Sequence, residues 1–416
     1  MSNADVVSAA DFAARLRPPG PAVENGEAWQ AFVDAIADAG RVVTAAHVPC
    51  SPVDRAEGYR YLTRLVNAAL TMFVEFADPD YPEFGRLMDT SVKWGLDNID
   101  CLYSKVSLRG HHDYLIRGSG GTAHYLGLTA TAGKFGDKIP EGKVAPGGVV
   151  ASMNSLDLEL EDDGSFEISV SAERPDNARN WLKITPEVSG LGVRQFFYDW
   201  ANELPWHLTI ERLGADGPPP PLTPEDFGRR LRNAIRFINP GCDLWDSLAR
   251  AYRAQPTNEV IMIEKGRSVT DPLQDYGFGW FRIEPDEALL VEFTPPPCHY
   301  WSFQLYNWWG ESFDYTYRQS SLNGQQARID SDGMFRGVIS MADPGVANWI
   351  DTAGHTEGML TPRFLLADSV PEQGYRVVKL GDLDAALPAD TARVTPAERA
   401  HVLRARRDGV WRRFRD

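Results

Sequence analysis

Tyr114-Leu115-Ile116-Arg117, followed by His124-Tyr125, is the segment from which the fold can be inferred, because the chain repeats it at an offset of 175. The repeat is Leu289-Leu290-Val291-Glu292, followed by His299-Tyr300, and the two blocks align without a gap. Three later blocks recur at offsets of 168 to 169: Asp163-Gly164-Ser165-Phe166 with Asp332-Gly333-Met334-Phe335, Asn180-Trp181 with Asn348-Trp349, and Arg194-Gln195-Phe196 with Arg363-Phe364-Leu365. We infer that one set of strands is present twice in the chain.

Three helix-start motifs support the same duplication. Successive motifs are separated by a constant offset of 172: Ser51-Pro52-Val53-Asp54, Thr223-Pro224-Glu225-Asp226 and Thr395-Pro396-Ala397-Glu398. Each motif places a hydroxyl at the N-cap, a proline at the first helical position and a carboxylate at the third. The spacing predicts a unit made of a helical segment followed by strands, present twice, with a third helix that closes the chain.

From Leu102 onward, short apolar runs alternate with turn residues such as Asp163-Gly164. Short strands at regular spacing with glycine-rich turns are typical of antiparallel sandwiches and jelly rolls. The sequence therefore predicts a mainly β fold with helices: two related antiparallel β-sandwich or jelly-roll units, each preceded by a helical segment, and a C-terminal helix.

The same patterns place the domain boundaries. We predict an N-terminal helical segment over 1–50, a first helix-plus-sandwich unit over 51–213, a proline-rich linker over 214–222, a second unit over 223–394 and a C-terminal helix over 395–416. Within them, periodicity predicts a helix over 27–46, an apolar helical face between Leu62 and Phe73, and a helix over 223–254 that is broken at Pro240-Gly241.

Composition limits the class of protein. The chain has 416 residues and a formal net charge of −16, which argues against a nucleic-acid partner because the phosphate backbone would be repelled. Residues 1–17 lack the pattern of a signal peptide, and no apolar run has membrane-spanning length. We therefore expect a cytoplasmic protein with no membrane partner. The four cysteines have no CxxC spacing, so we expect reduced, mostly buried thiols: Cys50, Cys101, Cys242 and Cys298.

Basic residues cluster at the C-terminus. There six arginines surround four apolar residues: Arg404, Arg406, Arg407, Arg412, Arg413 and Arg415 around Leu403, Val410, Trp411 and Phe414. We expect a terminal helix that docks its apolar stripe and exposes its arginines. A nucleic-acid or membrane tail is the alternative interpretation.

Two motifs resemble a bacterial family of paired domains of unknown function. Asn98-Ile99-Asp100-Cys101-Leu102-Tyr103 resembles the N-x-D-x-x-Y signature of its N-terminal module, domain of unknown function 1254, although Ile99 stands where that family usually has proline or arginine. The F-W-S-x-x-x-Y, D-G and N-W-L pattern of its C-terminal module, domain of unknown function 1214, is similar to Tyr300-Trp301-Ser302-Phe303-Gln304-Leu305-Tyr306, Asp332-Gly333 and Asn348-Trp349. The segment from Asp343 to His355 resembles an actinobacterial branch. Over residues 55–370 the resemblance implies two β-sandwich or jelly-roll modules, often assembled into homo-oligomers, and no settled reaction.

The duplication separates architecture from candidate function. Residues present in both units are interpreted as architectural: the Asp-Gly turns, Trp181 and Trp349 packed in the sandwich cores, Arg194 with Arg363, and His124 with His299. Polar residues present in one unit only are better candidates for function.

The densest such cluster lies in the second unit. After Asn348-Trp349 comes a glycine-bracketed loop that carries Asp351, His355 and Glu357, and Arg363 follows. Such a loop can place a proton-transfer group beside its orienting carboxylate. We predict His355 as general base or acid, Asp351 or Glu357 as the residue that sets its tautomer, and Arg363 as a substrate-binding residue. The alternative is a surface loop in which His355 caps a turn and Arg363 pairs with Asp351.

The first unit offers Asn98, Asp100 and Tyr103. A carboxylate beside a phenol can act as an acid/base pair, so we predict Asp100 and Tyr103 as catalytic and Asn98 as substrate-binding. An aspartate that accepts loop amides and a tyrosine that caps a sandwich explain these residues equally well. At the offset of 175 only the aspartate has a counterpart, Asp275.

An aromatic strand offers a pocket lining. Along it, Trp301, Phe303 and Leu305 share one face, which we assign to the core, and Tyr306 lies on the other. Tyr306 with Trp308 and Trp309 is predicted to line a site for a hydrophobic, aromatic or sugar-like ligand, although core packing explains them as well.

We expect neither a metal nor a cofactor. HExxH, GxSxG, GxxxxGK and a strand-linked GxGxxG are missing, and adjacent His111-His112 fit a hairpin turn better than a metal site. The leading hypothesis is an enzyme of lyase or hydrolase type that acts on a small molecule by cofactor-free acid/base chemistry in a sandwich pocket. The alternatives are a non-catalytic protein that binds a ligand or carbohydrate, and a structural oligomer component.

Overall fold

The computed structural model describes residues 22–133, 148–215, 217–263 and 273–415. Within them lie five α-helices: α1 (Glu27–Val43), α2 (Pro52–Leu70), α3 (Pro224–Arg253), α4 (Leu383–Ala386) and α5 (Pro396–Arg415). A π-helical turn, Thr71–Glu75, extends α2, and a 3-10 turn, Leu380–Asp382, precedes α4. The predictions for positions 1–21 lie outside the described part of the chain.

The strands of the first unit form two sheets. They are β1 (Gly85–Met88), β2 (Cys101–Ser107), β3 (Tyr114–Ser119), β4 (Tyr125–Ala132), β5 (Gly148–Asn154), β6 (Phe166–Ser171), β7 (Asn180–Lys183), β8 (Val188–Phe196) and β9 (His207–Arg212). One sheet has the order β1-β2-β8-β4-β5 and the other has the order β7-β6-β3-β9. The parallel pair in this unit is β6 with β7.

The second unit repeats this topology strand for strand. Its strands are β10 (Val260–Met262), β11 (Gln274–Arg282), β12 (Glu287–Phe293), β13 (Tyr300–Tyr306), β14 (Ser321–Asn323), β15 (Phe335–Ser340), β16 (Trp349–Asp351), β17 (Glu357–Leu365) and β18 (Gly374–Lys379). The sheet orders are β10-β11-β17-β13-β14 and β16-β15-β12-β18, with β15 and β16 parallel. The predicted duplication and fold class are therefore confirmed.

The helix starts follow the predicted capping chemistry. The Ser51 hydroxyl accepts the amide of Asp54 and the Asp54 carboxylate accepts the amide of Ser51. Thr223 caps α3 in the same way by accepting the amide of Asp226. The predicted break at Pro240-Gly241 is wrong, since α3 runs through Pro240 without interruption. Buried side chains on both sides of that proline, such as Ile238 and Cys242, favour continuation of α3 despite the loss of one backbone hydrogen bond.

A layer of three helices covers one sheet of each sandwich. Helices α1, α2 and α3 share a core that includes Leu65 and Phe237, and into it Tyr103 of β2 and Trp280 of β11 pack from the two sheets. The interior of each sandwich is a separate apolar cluster. Residues on β2 and β11 that face away from the sandwich interior therefore face the helices, which is where a cavity can form.

The two units meet at the histidines that precede β4 and β13. The rings of His124 and His299 stack with centroids 4.2 Å apart, and each ring Nε2 lies within 3.1 Å of the other residue's backbone oxygen. Beside this pair, Tyr125 and Phe196 of the first unit pack with Tyr300 and other apolar residues of the second. These histidines join the two units, in agreement with their architectural interpretation.

The shared asparagines and tryptophans also have matching positions. The side-chain amide of Asn180 forms hydrogen bonds with the backbone of Glu159 and Glu167. The side-chain amide of Asn348 does the same with the backbone of Arg328 and Arg336. Trp181 and Trp349 lie on equivalent strands, but the prediction that they fill the sandwich cores is wrong. Because neighbouring side chains on a strand point to opposite faces, the next residues, Leu182 and Ile350, supply those cores.

The C-terminal helix α5 docks its apolar side with Val410 and Phe414 buried. The prediction that it exposes its arginines is wrong for Arg406 and Arg413, which are 5% and 3% exposed. Both guanidinium groups lie over the ring of Trp200, which replaces water as their neighbour.

Two further findings concern membrane and thiol chemistry. None of the helices in the described part of the chain combines the length and hydropathy needed to span a membrane. All four cysteines are free thiols; Cys101 and Cys242 are buried, and Cys50 is exposed. The expectation of reduced thiols agrees with the structure, and two of the four, rather than most of them, are buried, since Cys298 is partly buried.

Candidate functional site

The structure separates His355 from its predicted carboxylate partners. Asp351 accepts a hydrogen bond from Arg318 at 2.9 Å and caps its own loop. Glu357 accepts hydrogen bonds from Arg253 and two other side chains of the second unit. The predicted roles of Asp351 and Glu357 in orienting His355 are therefore not supported. The partner of His355 is Glu57 of α2, whose carboxylate lies 3.0 Å from the imidazole Nε2.

The His355–Glu57 pair fastens α2 to the second unit. The His355 Nδ1 lies 3.1 Å from the backbone oxygen of Thr352, so both ring nitrogens face oxygen atoms, and the ring stacks on Phe313. Burial alone would lower the pKa of His355, but the hydrogen bond and the charge of Glu57 outweigh it and raise the pKa. Burial would raise the pKa of Glu57, and His355 with Arg60 outweighs that effect and lowers the pKa. This geometry favours an imidazolium that donates from both nitrogens.

A second carboxylate extends the same cluster. Glu311 is fully buried and accepts hydrogen bonds from Arg60 at 3.1 Å and from Arg64 at 2.6 Å. The amide of Asn307 links Glu311 to Glu57, with distances of 2.9 and 3.0 Å. Every charged group in the cluster thus has a partner, which is the arrangement expected of an interface between a helix and a sandwich.

Asp100 is the centre of a second polar cluster, between the two units. It is 1% exposed and accepts hydrogen bonds from the Tyr300 hydroxyl at 2.6 Å, the Trp200 indole at 2.7 Å and the Asn323 amide at 3.0 Å. Burial raises the pKa of Asp100, and these donors oppose that shift. Asn98 shares the cluster through hydrogen bonds with Tyr300.

The predicted substrate-binding residues Tyr306 and Arg363 belong to this second cluster. Arg363 donates to the Tyr306 hydroxyl at 2.7 Å and to the backbone oxygen of Leu96 at 2.7 Å. The Tyr103 hydroxyl accepts the backbone amide of Asn98 at 2.9 Å. The structure therefore brings together five of the predicted site residues: Asn98, Asp100, Tyr103, Tyr306 and Arg363. Asn98, Asp100, Tyr306 and Arg363 are buried, whereas Tyr103 is partly buried. Hydrogen bonds of this cluster, such as Asn98 and Asp100 with Tyr300 and Arg363 with Leu96, hold the two units together.

The tryptophans after the aromatic strand are core residues. Trp308 and Trp309 are 4% and 2% exposed. Trp309 stacks on Tyr61 of α2 with ring centroids 5.5 Å apart, and Trp308 packs edge-on against Trp280. Core packing, the alternative to a pocket lining in the sequence analysis, therefore describes these two residues better.

The two units can be aligned more accurately by equivalent strand pairs than by a constant sequence offset. Tyr103 lies opposite Arg194 in the β2–β8 pair, and Tyr276 lies opposite Arg363 in the β11–β17 pair. The counterpart of Tyr103 is therefore Tyr276, at an offset of 173, and the match of Asp100 with Asp275 is wrong. Loops of different length between β2 and β4 and between β11 and β13 change the offset. Two residues further along these strands, the same register makes Phe278 the counterpart of Lys105.

Sequence reasoning missed Lys105, which lines a cavity of about 300 Å³ between β2, the start of β8, the π-helical turn and α3. Its lining combines apolar residues of the π-helical turn with polar residues from the strands and α3, including Met72, Phe73, Ser107, Arg109, Ser189 and Arg229. The volume is at the lower end of the range for small-molecule sites, and π-helical turns are frequent at functional sites.

Lys105 has no hydrogen bond or ion pair with any described residue; its ammonium lies 5.7 Å from the centroid of the Phe73 ring. Burial lowers the pKa of Lys105. Lys93 is the natural comparison, since burial lowers its pKa to about 8, yet its ammonium donates to the backbone oxygens of Ser312 and Phe313. Of the two lysines, Lys105 alone has an amine without a partner in the described part of the chain.

Two arginines at the cavity add positive charge. Arg109 pairs with Asp80 at 3.1 Å, and Arg229 pairs with Asp226. Glu187 also lines the cavity. Because the two arginines are already ion-paired, Lys105 is the cationic side chain of this lining that would gain most from an anionic ligand.

The second unit fills the matching place with aromatic rings. Phe278, the counterpart of Lys105, stacks on Tyr252 of α3 with ring centroids 4.7 Å apart and an interplanar angle of 12°. An aromatic pair thus occupies the space between sheet and helix that the first unit leaves open. Lys105 is a polar residue without a polar counterpart in the second unit. By the comparison of the two units it is therefore a candidate functional residue.

A larger cavity, about 390 Å³, lies beside α5. Its charged lining is already paired, because Arg86 lies 4.0 Å from Asp89 and donates to the backbone oxygen of Phe414. No group of three or more potential metal ligands occurs among the residues that the structure describes. The Lys105 cavity is therefore the stronger candidate for ligand chemistry.

Comparison with known proteins gives a family match and similar solved structures. The family described as "Protein of unknown function (DUF1214)" matches residues 104–196 and 287–369, one segment in each unit. A crystal structure of an uncharacterised protein from Burkholderia cenocepacia superposes with a TM-score of 0.81 at 34% identity, over 88% of this chain and 99% of that one. The VPA0106 protein from Vibrio parahaemolyticus gives a TM-score of 0.43 at 14% identity, over 77% and 98% of the two chains. No curated protein matches significantly.

Proposed function

The chain belongs to the family described as "Protein of unknown function (DUF1214)", and we propose that it is an enzyme of lyase or hydrolase type that acts on a small anionic molecule without a cofactor. The proposed substrate site is the Lys105 cavity. One observation carries the proposal. The amine of Lys105 lies in a cavity of the first unit without a described partner, whereas the second unit has Phe278 at the equivalent position.

The chemistry of the lining supports an anionic substrate. An unpaired, partly desolvated cation reduces the stability of the folded protein unless it gains a partner, and a carboxylate or phosphate supplies one. Arg109 and Arg229 can hold such a group in a bidentate manner. Phe73 and Met72 offer an apolar wall for the rest of the substrate. Hydrogen-bonded hydroxyls of Ser107 and Ser189 complete a site with both polar and apolar surfaces.

The catalytic roles of His355, Asp351, Glu357, Asp100 and Tyr103 stay predictions. Their contacts support structural roles, since His355 faces oxygen atoms with both ring nitrogens and Asp100 accepts three hydrogen bonds in the interior. A general base needs a free lone pair within reach of substrate. We therefore assign His355 to fastening α2 and base the proposal on Lys105.

The sequence motifs support further parts of the proposal. The Asn98–Tyr103 signature supports assignment of the first half to domain of unknown function 1254, and the segment from Asp343 to His355 supports an actinobacterial branch. The four free cysteines support a cytoplasmic location, where thiols stay reduced. Homo-oligomer formation is proposed from the family resemblance.

A thermal-shift panel tests the proposal. Small carboxylates (pyruvate, acetoacetate, malonate and benzoate) and their neutral amides are added to the wild type, to Lys105→Met and to Lys183→Met. Lys183 is an exposed lysine of the same unit, so it controls for loss of one charge. We expect at least one carboxylate to raise the melting temperature of the wild type and of Lys183→Met but not that of Lys105→Met.

Turnover distinguishes an enzyme from a binding protein. Each ligand that binds is incubated with the protein and followed by NMR for loss of substrate signals. Product formation that Lys105→Met abolishes supports the enzyme. Binding without conversion would favour the alternative of a non-catalytic binding protein, and a panel in which no ligand binds, or in which Lys105→Met behaves as the wild type, would refute the proposed site.

A further inference from the structure

The Lys105 amine is placed for covalent chemistry as well as for charge. An amine adds to a carbonyl carbon only when it is neutral and sterically free, and most lysines on a protein surface are protonated at neutral pH. Among the described residues, Lys105 has no carboxylate partner that would hold its proton, and the Phe73 ring at 5.7 Å offers the ammonium only a weak cation–π contact. A lysine with these surroundings is of the kind that forms imines with carbonyl substrates.

The backbone around Lys105 leaves room for the side chain to move. Gly190 of β8 lies beside it, and a Cβ added there would meet the Lys105 Cε at 3.3 Å and the backbone oxygen of Val106 at 3.1 Å. Gly192, directly opposite Lys105 on the same strand, has open space, since its added Cβ would meet only the oxygen of Thr129 at 3.9 Å. Gly190 thus keeps the lysine stem unobstructed at the cavity.

We propose that Lys105 condenses with the carbonyl group of a small oxo acid to form an imine, with the acid's carboxylate held by the arginines of the cavity. This inference rests on the proposed function and narrows its substrate to molecules that carry both a carbonyl and a carboxylate. The nitrogen lone pair attacks the carbonyl carbon, the two protons of the neutral amine pass to the carbonyl oxygen, and the carbon–oxygen bond breaks as one water leaves. No electrons are transferred, so no oxidant or reductant is required.

The cavity supplies the groups that this condensation needs. Arg109 and Arg229 line the cavity, and each is ion-paired with an aspartate that does not line it, Asp80 or Asp226. A guanidinium has five N–H donors, so each arginine can bind a substrate carboxylate in addition to its aspartate. The carbonyl end of the acid then meets the lysine. A protonated imine draws electrons from the adjacent carbon–carbon bond, which is the property that carbon–carbon lyases use.

Reductive trapping tests the inference. Wild type, Lys105→Arg, Lys105→Met and Lys183→Met are incubated with pyruvate and sodium cyanoborohydride, which converts an imine to a stable secondary amine. Intact mass and peptide mapping then count and locate the adducts. We expect one adduct at Lys105 in the wild type and in Lys183→Met, none at position 105 in the other two, and a trapping rate that increases with pH at a lower midpoint than for exposed lysines.

Lys105→Arg separates the two proposals. Arginine keeps the positive charge but forms no imine under these conditions, so this variant should still bind pyruvate in the thermal-shift assay without being trapped. Pyruvate binding in the wild type with no adduct, or adducts at Lys93 and surface lysines in preference to Lys105, would overturn the imine and leave the proposed site in place. Absence of pyruvate binding in every form would overturn the imine, and absence of binding by every carboxylate of the panel would overturn both.

Discussion

Removal of the His355–Glu57 pair gives the sharpest prediction for the folded state. The two side chains are 11% and 13% exposed, and their contact joins α2 to the second unit. Removing one partner of a buried pair costs about 3–5 kcal/mol. Because both groups keep some exposure, we expect about 2 kcal/mol for His355→Ala at pH 6, and a coupling of about 1–2 kcal/mol in a double-mutant cycle with Glu57→Ala.

The pH dependence of that coupling follows from the two pKa shifts. The pKa of His355 is raised in the folded protein, so its contribution is complete below its unfolded value, about 6.5, and is lost as the pH rises through the raised value. The pKa of Glu57 is lowered, so its contribution is complete above its unfolded value, about 4.5, and is lost as the pH falls through the lowered value. The coupling should therefore be largest between about pH 4.5 and pH 6.5.

Urea denaturation at pH 6 and pH 9 measures this coupling from the wild type, the two single variants and the double variant. His207→Ala is the control, because His207 is an exposed histidine of β9. We expect the coupling to decrease by more than half at pH 9 and the control to differ little from the wild type at both values. A coupling below about 0.5 kcal/mol at pH 6, or one that does not change with pH, would refute the imidazolium assignment.

Three further predictions concern the cavity and the junction between the units. Lys105→Met should keep or increase the free energy of unfolding, by up to about 1 kcal/mol, because it removes a desolvated cation that pairs with no described residue; a loss above that value in urea denaturation would contradict this. Gly190→Ala should weaken ligand binding about tenfold by calorimetry while Gly192→Ala binds as the wild type, since only the first added methyl contacts the lysine stem; equal affinities would argue against it. Asp100→Asn should cost about 2–3 kcal/mol of unfolding free energy, because one carboxylate oxygen that accepts hydrogen bonds becomes a donor; a change below about 1 kcal/mol would show that the cluster adapts.

The fold was predictable because the two units share short turns with a specific sequence. Gly164 and Gly333 both have positive φ, and Asp163 and Asp332 each accept the amide two residues later, so the two Asp-Gly turns are the same structure. Such turns fix strand ends closely. The capping motifs placed the helices equally well, whereas the effect of Pro240 depended on tertiary packing that local sequence does not report.

The candidate site was less predictable. The loop around His355 looked self-contained, but its histidine binds Glu57, which lies at a sequence separation of 298. The register between β2 and β11 differs from the offset that aligns β4 with β13, and that shift concealed the match of Lys105 with Phe278. An alignment made strand by strand would have shown a lysine where the other unit has an aromatic residue. The cavity itself depends on the path of the π-helical turn, which periodicity does not reveal.

A crystal structure with the tightest-binding carboxylate of the panel is the decisive measurement for the proposed site. We predict that the ligand occupies the cavity between β2, the π-helical turn and α3, with a polar atom within hydrogen-bond distance of the Lys105 Nζ. We also predict no ligand at the Phe278–Tyr252 stack of the second unit. A ligand bound beside His355, or in the cavity next to α5, with the Lys105 cavity unoccupied, would be incompatible with a substrate site at Lys105.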